Sequence, residues 1–210
     1  MNLAIYLVAS PEGFTPGAFL ERVGAALSGG VDMLQYRPKR LPLREALALG
    51  LEVRALTRRF GVPLVVDDRL DLALALAADG LHLGQEDLPA PLARAHWRGL
   101  LGVSVRSSKE ARDALEAGAD YLGAGAVYAT ATKPEAEVIG LEGLRKVVES
   151  AGLPVVAIGG ITPERVPEVR QAGVAGVAVV SAVMRAPDPA RAVRELRRVW
   201  EKTMEGKRTV

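Results

Sequence analysis

Short apolar runs alternate with longer amphipathic segments along this 210-residue chain, and this alternation constrains the fold more than any other feature. A continuous apolar run indicates a strand buried on both faces, and a helix between successive runs indicates that the strands are parallel. The runs are Leu3–Val8, Val31–Tyr36, Pro63–Val66, Leu81–Leu83, Leu101–Ser104, Tyr121–Ala124, Val155–Ile158 and Gly176–Val180. The helix candidates between them are residues 16–28, 42–60, 69–78, 89–96, 108–117, 141–151, 163–172 and 189–204. The pattern predicts an α/β protein of eight strand–helix units.

Capping signals support these boundaries. Three helices are predicted to begin with a side-chain oxygen followed by proline, at Thr15, Thr162 and Asp188. Ser107 and Glu110 have the spacing of a capping box. Pro167 predicts a bend or a late start in the seventh helix. Glycines at the helix ends would allow a positive φ, at Gly29, Gly118, Gly152 and Gly173.

Eight strand–helix units fit either a closed barrel or an open, doubly wound sheet. The first strand is followed by Ala9–Gly13, which carries no glycine-rich dinucleotide fingerprint. A length just above 200 residues also matches the compact end of the barrel range. We therefore predict one (β/α)₈ TIM barrel domain over residues 1–210, with the open sheet as the alternative.

Charge and composition narrow the classes of function. The net charge is +2, from 27 basic and 25 acidic residues, and no clustered basic block favours nucleic-acid binding. The sequence has no cysteine, which excludes disulfides, thiolate catalysis and cysteine-bound zinc. The apolar segment Asn2–Val8 is far shorter than the roughly 20 residues of a membrane span, and no basic region precedes it. We expect a cytoplasmic protein that acts on small molecules, with a homodimer as an open alternative.

Polar residues gather where the predicted strands end. The strands of a parallel barrel all end at one rim, where the βα loops build the active site. The polar stretches there are Gln35–Lys39, Asp67–Arg69, Gly84–Asp87, Ser104–Ser107, Tyr128–Lys133, Gly159–Gly160 and Ser181. Any one of them alone is more typical of a solvated turn. Their convergence on one rim indicates a binding site.

The residue types on the early loops indicate a metal-assisted diphosphate site. Asp68 and Asp87 supply hard oxygen ligands, which suit Mg²⁺ held partly by water and partly by a substrate phosphate. Arg37, Lys39 and Lys133 could neutralise a diphosphate, and arginine could grip it in a fork.

The later loops indicate a second anion site. Gly159–Gly160 and Val180–Ser181 follow the last two strands, where barrels of this kind commonly bind phosphate at the start of a short extra helix. That helix is predicted at Ala182–Arg185. His82 lies inside a buried strand and is interpreted as a core histidine with satisfied hydrogen bonds. No Ser/His/Asp or Cys/His nucleophile is visible.

Motifs on successive strands resemble the thiamine phosphate synthase family over nearly the whole chain. The resemblance rests on Gln35–Lys39, Val66–Asp68, Ala78–Asp87, Gly102–Ser104, Thr130–Lys133, Ala157–Ile161 and Val180–Ser181. It implies that 4-amino-2-methyl-5-hydroxymethylpyrimidine diphosphate and a thiazole monophosphate, or its carboxylated form, give thiamine phosphate and pyrophosphate. The implied chemistry is a Mg²⁺-assisted substitution in which the diphosphate leaves first.

The resemblance also implies roles for individual residues. The pyrimidine diphosphate would be held by Gln35, Tyr36, Arg37, Pro38, Lys39, Asp67, Ser104 and Lys133. The thiazole phosphate would be held by Thr130, Ala131, Thr132, Gly160, Val180 and Ser181. Asp68 and Asp87 would bind Mg²⁺. The catalytic residues would be Lys133, Arg37 and Ser104. The loop Ala129–Ile139 is expected to act as a lid.

Two positions depart from the family pattern. Asp67 stands where the family usually has asparagine, and a carboxylate beside a diphosphate is repulsive unless Mg²⁺ or Arg69 compensates it. Arg106 stands where synthases often have histidine. A related thiazole tautomerase uses that histidine as its acid and base, a role that arginine cannot fill. The alternatives to the synthase are this tautomerase and a non-catalytic barrel that binds a thiamine precursor.

Overall fold

The computed structural model describes residues 1–130 and 135–205, and its parallel strands close into a barrel in chain order. The described strands are β1 (Ile5–Ala9), β2 (Met33–Tyr36), β3 (Leu64–Asp67), β4 (Gly80–Leu83), β5 (Leu100–Val105), β6 (Tyr121–Ala124), β7 (Val155–Ile158) and β8 (Gly176–Val179). Pairing of β1 with β8, in the register of Ile5 with Val177, closes the barrel. The predicted (β/α)₈ barrel is confirmed, and the open-sheet alternative is excluded.

The helices form the outer layer. They are α1 (Pro16–Ser28), α2 (Leu43–Phe60), α3 (Leu70–Ala75), α4 (Ala90–His96), α5 (Ser108–Glu116), α6 (Gly140–Ala151), α7 (Val166–Gln171), α8 (Ser181–Met184) and α9 (Pro189–Glu205). The late start at Pro167 is confirmed, because a 3₁₀ turn, Pro163–Arg165, precedes α7. The short extra helix is α8, which begins one residue earlier than predicted. Within the described ranges, no helix is both long and apolar enough to cross a bilayer.

The capping predictions are confirmed in part. Thr15 accepts a hydrogen bond from the Ala18 amide at 3.3 Å, and Asp188 accepts one from the Arg191 amide at 2.9 Å. Thr162 makes no side-chain cap.

The capping box is only half formed. The Ser107 hydroxyl accepts from the Glu110 amide at 3.2 Å. The Glu110 carboxylate, however, accepts from the amide of Arg106 and not from that of Ser107. The Glu110 side chain thus anchors the backbone of the loop that follows β5.

The expected positive φ at Gly29 is wrong. This residue has φ −75°, and the left-handed conformation falls on Gly30, at φ 99°. Glycine is needed at position 29 for space, because a Cβ there would lie 2.7 Å from the carbonyl oxygen of Ala190. Three further positions have the expected positive φ, namely Gly118, Gly152 and Gly173.

Alternating residues of each strand face two separate cores. The larger core lies between the barrel and the helices and includes Leu7, Leu34 and Val66. The smaller core fills the lumen, and its buried members are Leu3, Tyr6, Val8, Met33, Val65, Tyr121, Val156 and Ala178. Each buried aliphatic or aromatic side chain stabilises the fold by roughly 1.5–3 kcal/mol. The lumen is therefore a packed floor beneath the rim where the strands end.

Three aspartates occupy equivalent turns at the N-terminal rim, the end of the barrel where the strands begin. Each stands just before a strand, accepts a hydrogen bond from the backbone amide of the neighbouring strand, and pairs with an arginine from a helix. The aspartates are Asp32, Asp79 and Asp120, their amide donors are Ile5, Leu64 and Leu101, and their arginines are Arg197, Arg54 and Arg94.

Candidate active site

A cavity of about 450 Å³ opens at the C-terminal rim, where the strands end. This volume is within the range of small-molecule sites. Every strand from β1 to β8 contributes lining residues, either from the strand itself or from the loop after it. The cavity has a charged side and a side built mainly from backbone.

The charged side is formed by the ends of β2 and β3. The Arg37 Nε atom lies 3.0 Å from Asp67 Oδ2. Lys39 pairs with Asp68, and its Nζ atom lies 3.8 Å from Asp67. The Arg37–Asp67 contact is not aligned as a hydrogen bond, so the buried Asp67 Oδ2 atom lacks a hydrogen-bond partner. Two cationic and two carboxylate side chains thus form one cluster of ion pairs at the C-terminal rim of the barrel.

Asp87, in the loop after β4, adds a third carboxylate. Burial, followed by the charge of Asp68, raises the pKa of Asp67 to about 7. Burial and a hydrogen bond with Asp68 also raise the pKa of Asp87. Burial alone would raise the pKa of Asp68, but hydrogen bonds with Asp87 and Lys39 outweigh it and lower that pKa. The three carboxylates therefore resist being charged together, as titratable groups at functional sites often do.

The donor set suits magnesium better than a transition metal. Among the described residues, no group of three or more histidine, aspartate or glutamate side chains is arranged around a metal position. Magnesium is commonly held by only one or two carboxylates, with water and substrate phosphate completing its shell. Asp68 and Asp87 could supply those two, and the buried Asp67 Oδ2 atom beside them has no hydrogen-bond partner.

The floor of the cavity carries a chain of polar side chains in the lumen. The Gln35 Nε2 atom donates to the Tyr6 hydroxyl at 3.1 Å, and that hydroxyl lies 2.8 Å from the Tyr121 hydroxyl. His82 lies 3.1 Å from the Tyr121 hydroxyl through Nδ1, and 2.9 Å from Ser104 Oγ through Nε2. The interpretation of His82 as a buried histidine with satisfied hydrogen bonds is confirmed, but it also lines the cavity.

Burial lowers the pKa of His82 to about 4, so the imidazole is neutral at neutral pH. Two glycines make room for the ring. A Cβ at Gly102 would overlap both Tyr121 and His82, and one at Gly123 would lie 3.1 Å from the His82 ring. The polar chain therefore exists only because β5 and β6 carry no side chain at these positions.

The opposite side of the cavity is formed by the ends of β7 and β8. Gly159 and Gly160 both have positive φ, 103° and 64°, which favours glycine at each position. Arg165 donates to the Gly160 carbonyl and stacks on the ring of Tyr128, 4.3 Å from its centroid. Ser181 begins α8 and lines the cavity. This side offers backbone amides and small side chains in place of paired charges.

Comparison with known proteins identifies the family. A model of the family described as thiamine monophosphate synthase matches residues 5–183. The chain belongs to this family. It is 50% identical over 186 residues to the thiamine-phosphate synthase of Pyrococcus furiosus, covering 88% of this chain and 90% of the relative. It is 51% identical over 183 residues to that of Moorella thermoacetica, with 86% and 87% covered.

The barrel is also similar to a solved structure of the same family. The structure described as thiamine phosphate pyrophosphorylase from Pyrococcus furiosus superposes with a TM-score of 0.89 and 46% sequence identity. The match covers 96% of this chain and 97% of the other.

Most of the residues expected from the thiamine monophosphate synthase family line the one cavity. They are Gln35, Arg37, Lys39, Asp67, Asp68, Asp87, Ser104, Thr130, Gly160, Val180 and Ser181. Tyr36 is placed differently, because it faces the helices, where its hydroxyl donates to the Ala46 carbonyl at 3.0 Å. Pro38 is buried and is not part of the cavity lining. Three expected residues, Ala131, Thr132 and Lys133, lie outside the described residues.

The sequence analysis missed several lining residues, among them Tyr6 and Tyr121, and did not place His82 in the site. Tyr6 and Tyr121 were treated only as strand residues, and His82 only as core, yet all three line the cavity. The signal was available, because a residue two positions from another lumen-facing residue shares its face of the strand. Tyr6 and Val8 in β1 show this alternation.

Proposed function

We propose that this protein condenses 4-amino-2-methyl-5-hydroxymethylpyrimidine diphosphate with a thiazole monophosphate to form thiamine phosphate and pyrophosphate. The observation that carries the proposal is the division of one cavity into a charged side, at β2 to β4, and a backbone-lined side, at β7 and β8. The relatives named thiamine-phosphate synthase, at about 50% identity, support it.

The charged side would hold the diphosphate. Arg37 and Lys39 would exchange their contacts with Asp67 and Asp68 for phosphate oxygens, which attract cations more strongly. Asp68 and Asp87 would hold Mg²⁺, which when bound neutralises negative charge on the diphosphate. Lys133 would add a further cation from the loop after β6.

The backbone-lined side would hold the thiazole phosphate. The amides at Gly160, Val180 and Ser181 would bind its phosphate, as the loops after the last two strands do in many barrels. Thr130, Ala131 and Thr132 would contact the same substrate from the loop after β6.

In this reaction the protein mainly has to position the two substrates and to stabilise the negative charge of the departing pyrophosphate. The bond between the pyrimidine methylene carbon and the diphosphate oxygen breaks, and its electron pair leaves with pyrophosphate. The thiazole nitrogen then donates its lone pair to the methylene carbon. Gln35 and Ser104 would orient the pyrimidine, while Arg37 and Lys39 would stabilise the departing charge.

Arg106 argues against the tautomerase alternative. It lines the cavity at the end of β5. A guanidinium does not deprotonate near neutral pH, so Arg106 cannot serve as the acid and base that the tautomerase requires.

The test is an assay of the purified protein with both substrates, with and without Mg²⁺. We expect thiamine phosphate and pyrophosphate in equal amounts, and only when Mg²⁺ is present. Binding of the thiazole phosphate without any thiamine phosphate formed would reject the synthase and favour the non-catalytic barrel.

A further inference from the structure

Five polar side chains, each on a different strand, form one hydrogen-bonded chain beneath the cavity. In order they are Gln35, Tyr6, Tyr121, His82 and Ser104, joined by contacts of 3.1, 2.8, 3.1 and 2.9 Å. Gln35 and Tyr6 are 5% and 2% exposed, and Tyr121 is fully buried. Water has little access to complete any link, so the side chains must satisfy one another.

The hydrogens available to this hydrogen-bonded series can be counted. Each tyrosine hydroxyl has one hydrogen, and a neutral imidazole has one N–H. In the described part of the chain, the Tyr6 and Tyr121 hydroxyls have no hydrogen-bond partners beyond their neighbours in this series. Each buried hydroxyl hydrogen is satisfied only when that hydroxyl accepts from one neighbour and donates to the other.

The direction of the hydrogen bond between Gln35 and Tyr6 determines the direction of the other three. Gln35 donates through Nε2 to Tyr6. Tyr6 must then donate to Tyr121, and Tyr121 to Nδ1 of His82. His82 carries its proton on Nε2 and donates it to Ser104 Oγ, which leaves the serine hydrogen for a ligand. Gln35 Oε1 is left as an acceptor at the other end.

We propose that this hydrogen-bonded series makes Gln35 Oε1 an acceptor and the Ser104 hydroxyl a donor at the same time. The site thereby selects an amino-pyrimidine diphosphate over its 4-oxo counterpart. The amino-pyrimidine edge presents an N–H donor beside a ring nitrogen acceptor, which matches this pair. The oxo form presents a carbonyl acceptor beside a ring N–H. The inference rests on the proposed function, because the amino-pyrimidine is its substrate.

Binding the oxo form while every buried hydrogen keeps a partner would require all four links to reverse at once. The amide of Gln35 would have to flip, both tyrosine hydroxyls would have to turn, and the His82 proton would have to move to Nδ1. Each change occurs at a buried site, and a partial reversal would leave two donors or two acceptors facing each other. Tyr6, Tyr121 and His82 are thus positioning residues that determine specificity through Gln35 and Ser104.

The test measures the affinity of the wild-type protein and of Tyr121→Phe for the amino-pyrimidine diphosphate and its 4-oxo analogue. The method is calorimetry with Mg²⁺ present. We expect the wild type to prefer the amino form by at least about 100-fold. Tyr121→Phe disconnects the two ends, so it should lower this preference about tenfold, the worth of one hydrogen bond. The loss should appear mainly as tighter binding of the oxo form.

Thr57→Val is the matched control. It also removes a fully buried hydroxyl, which donates to the Arg54 carbonyl at 3.0 Å in α2, far from the lumen. The control should keep the wild-type preference. If Tyr121→Phe fails to fold, as judged by its thermal transition, Tyr6→Phe makes the same test because it disconnects Gln35 from Tyr121.

The outcomes separate this inference from the proposed function. An unchanged preference in the tyrosine variant, or an equal fall in both affinities, overturns the inference even when thiamine phosphate is formed. A wild type that binds both pyrimidines equally overturns it as well. A preference that depends on Tyr121 supports the inference even in a protein that forms no thiamine phosphate, which would reject the function alone.

Discussion

The two rims of the barrel use aspartate in opposite ways. At the N-terminal rim, burial alone would raise the pKa of Asp79, but Arg54 and the Leu64 amide outweigh it and lower that pKa. At the C-terminal rim, burial and the charge of a neighbouring carboxylate raise the pKa of Asp67 to about 7. One set is completed by the protein itself and stabilises the fold. The other keeps an unpartnered carboxylate oxygen at Asp67, and we propose that it serves ligand binding.

Removing a carboxylate from the C-terminal rim should have the largest effect, and on activity. Asp68→Asn removes the charge while keeping a residue that tolerates its φ of 61°. We expect kcat/KM to fall 10²–10³-fold, or about 3–4 kcal/mol, in a steady-state assay with both substrates. Asp71→Asn is the control, since Asp71 is exposed and paired with Arg69. A fall of similar size in both variants would remove Asp68 from the site.

The second effect is on the stability of the fold in acid, because burial keeps His82, in the cavity floor, neutral. With the folded-state pKa of His82 near 4 and the unfolded value near 6.5, the unfolded chain binds more protons between these limits. Stability from this group is present above about pH 6.5 and is lost as pH falls towards 4. We expect about 2 kcal/mol less unfolding free energy at pH 5 than at pH 7 from His82.

Urea unfolding of His82→Gln at the two pH values measures this contribution, which the variant should lack. The chain's other histidine, the exposed His96, is the control. His96→Gln should retain the pH dependence of the wild type. Equal pH dependence in all three proteins would show that His82 is not the group responsible.

The smallest effect is expected at the N-terminal rim, and on stability alone. Asp79→Asn loses the ion pair with Arg54 but keeps an oxygen for the Leu64 amide. We expect the free energy of unfolding to fall by about 1 kcal/mol, with kcat/KM unchanged. Asp113→Asn, which breaks the exposed pair with Lys109, should change neither quantity measurably. Loss of activity in Asp79→Asn at full stability would contradict the contrast between the rims.

The fold could be predicted from the sequence because each strand and helix has its own local signal. Apolar runs set the strands to within two residues, and proline and glycine marked most helix ends. The third helix ends at Ala75, earlier than predicted, because Ala77 takes a positive φ that no sequence signal announces. The role of Gly29 was also missed, since the need for space comes from a residue more than 150 positions away.

The site could be predicted where its residues follow the strands, and less well inside the barrel. The carboxylates and cations of the charged side were found because loops after parallel strands converge on one rim. Tyr36 was included with the site because its motif was carried over whole, although it alternates with Gln35 along β2 and its side chain faces the helices. The chain of Tyr6, His82 and Tyr121 joins residues up to 115 positions apart, and no local pattern reports such a partnership.

The pairing of Asp32 with Arg197 has a consequence for synthesis of the protein. The two residues are 165 positions apart, and the same aspartate holds the first amide of β1. A nascent chain therefore has no complete partner for this turn until α9 has left the ribosome. β1 likewise lacks its partner β8 until that strand has emerged, so one edge of the sheet stays open to other chains. A pause in translation at any point between β1 and β8 would prolong that exposure.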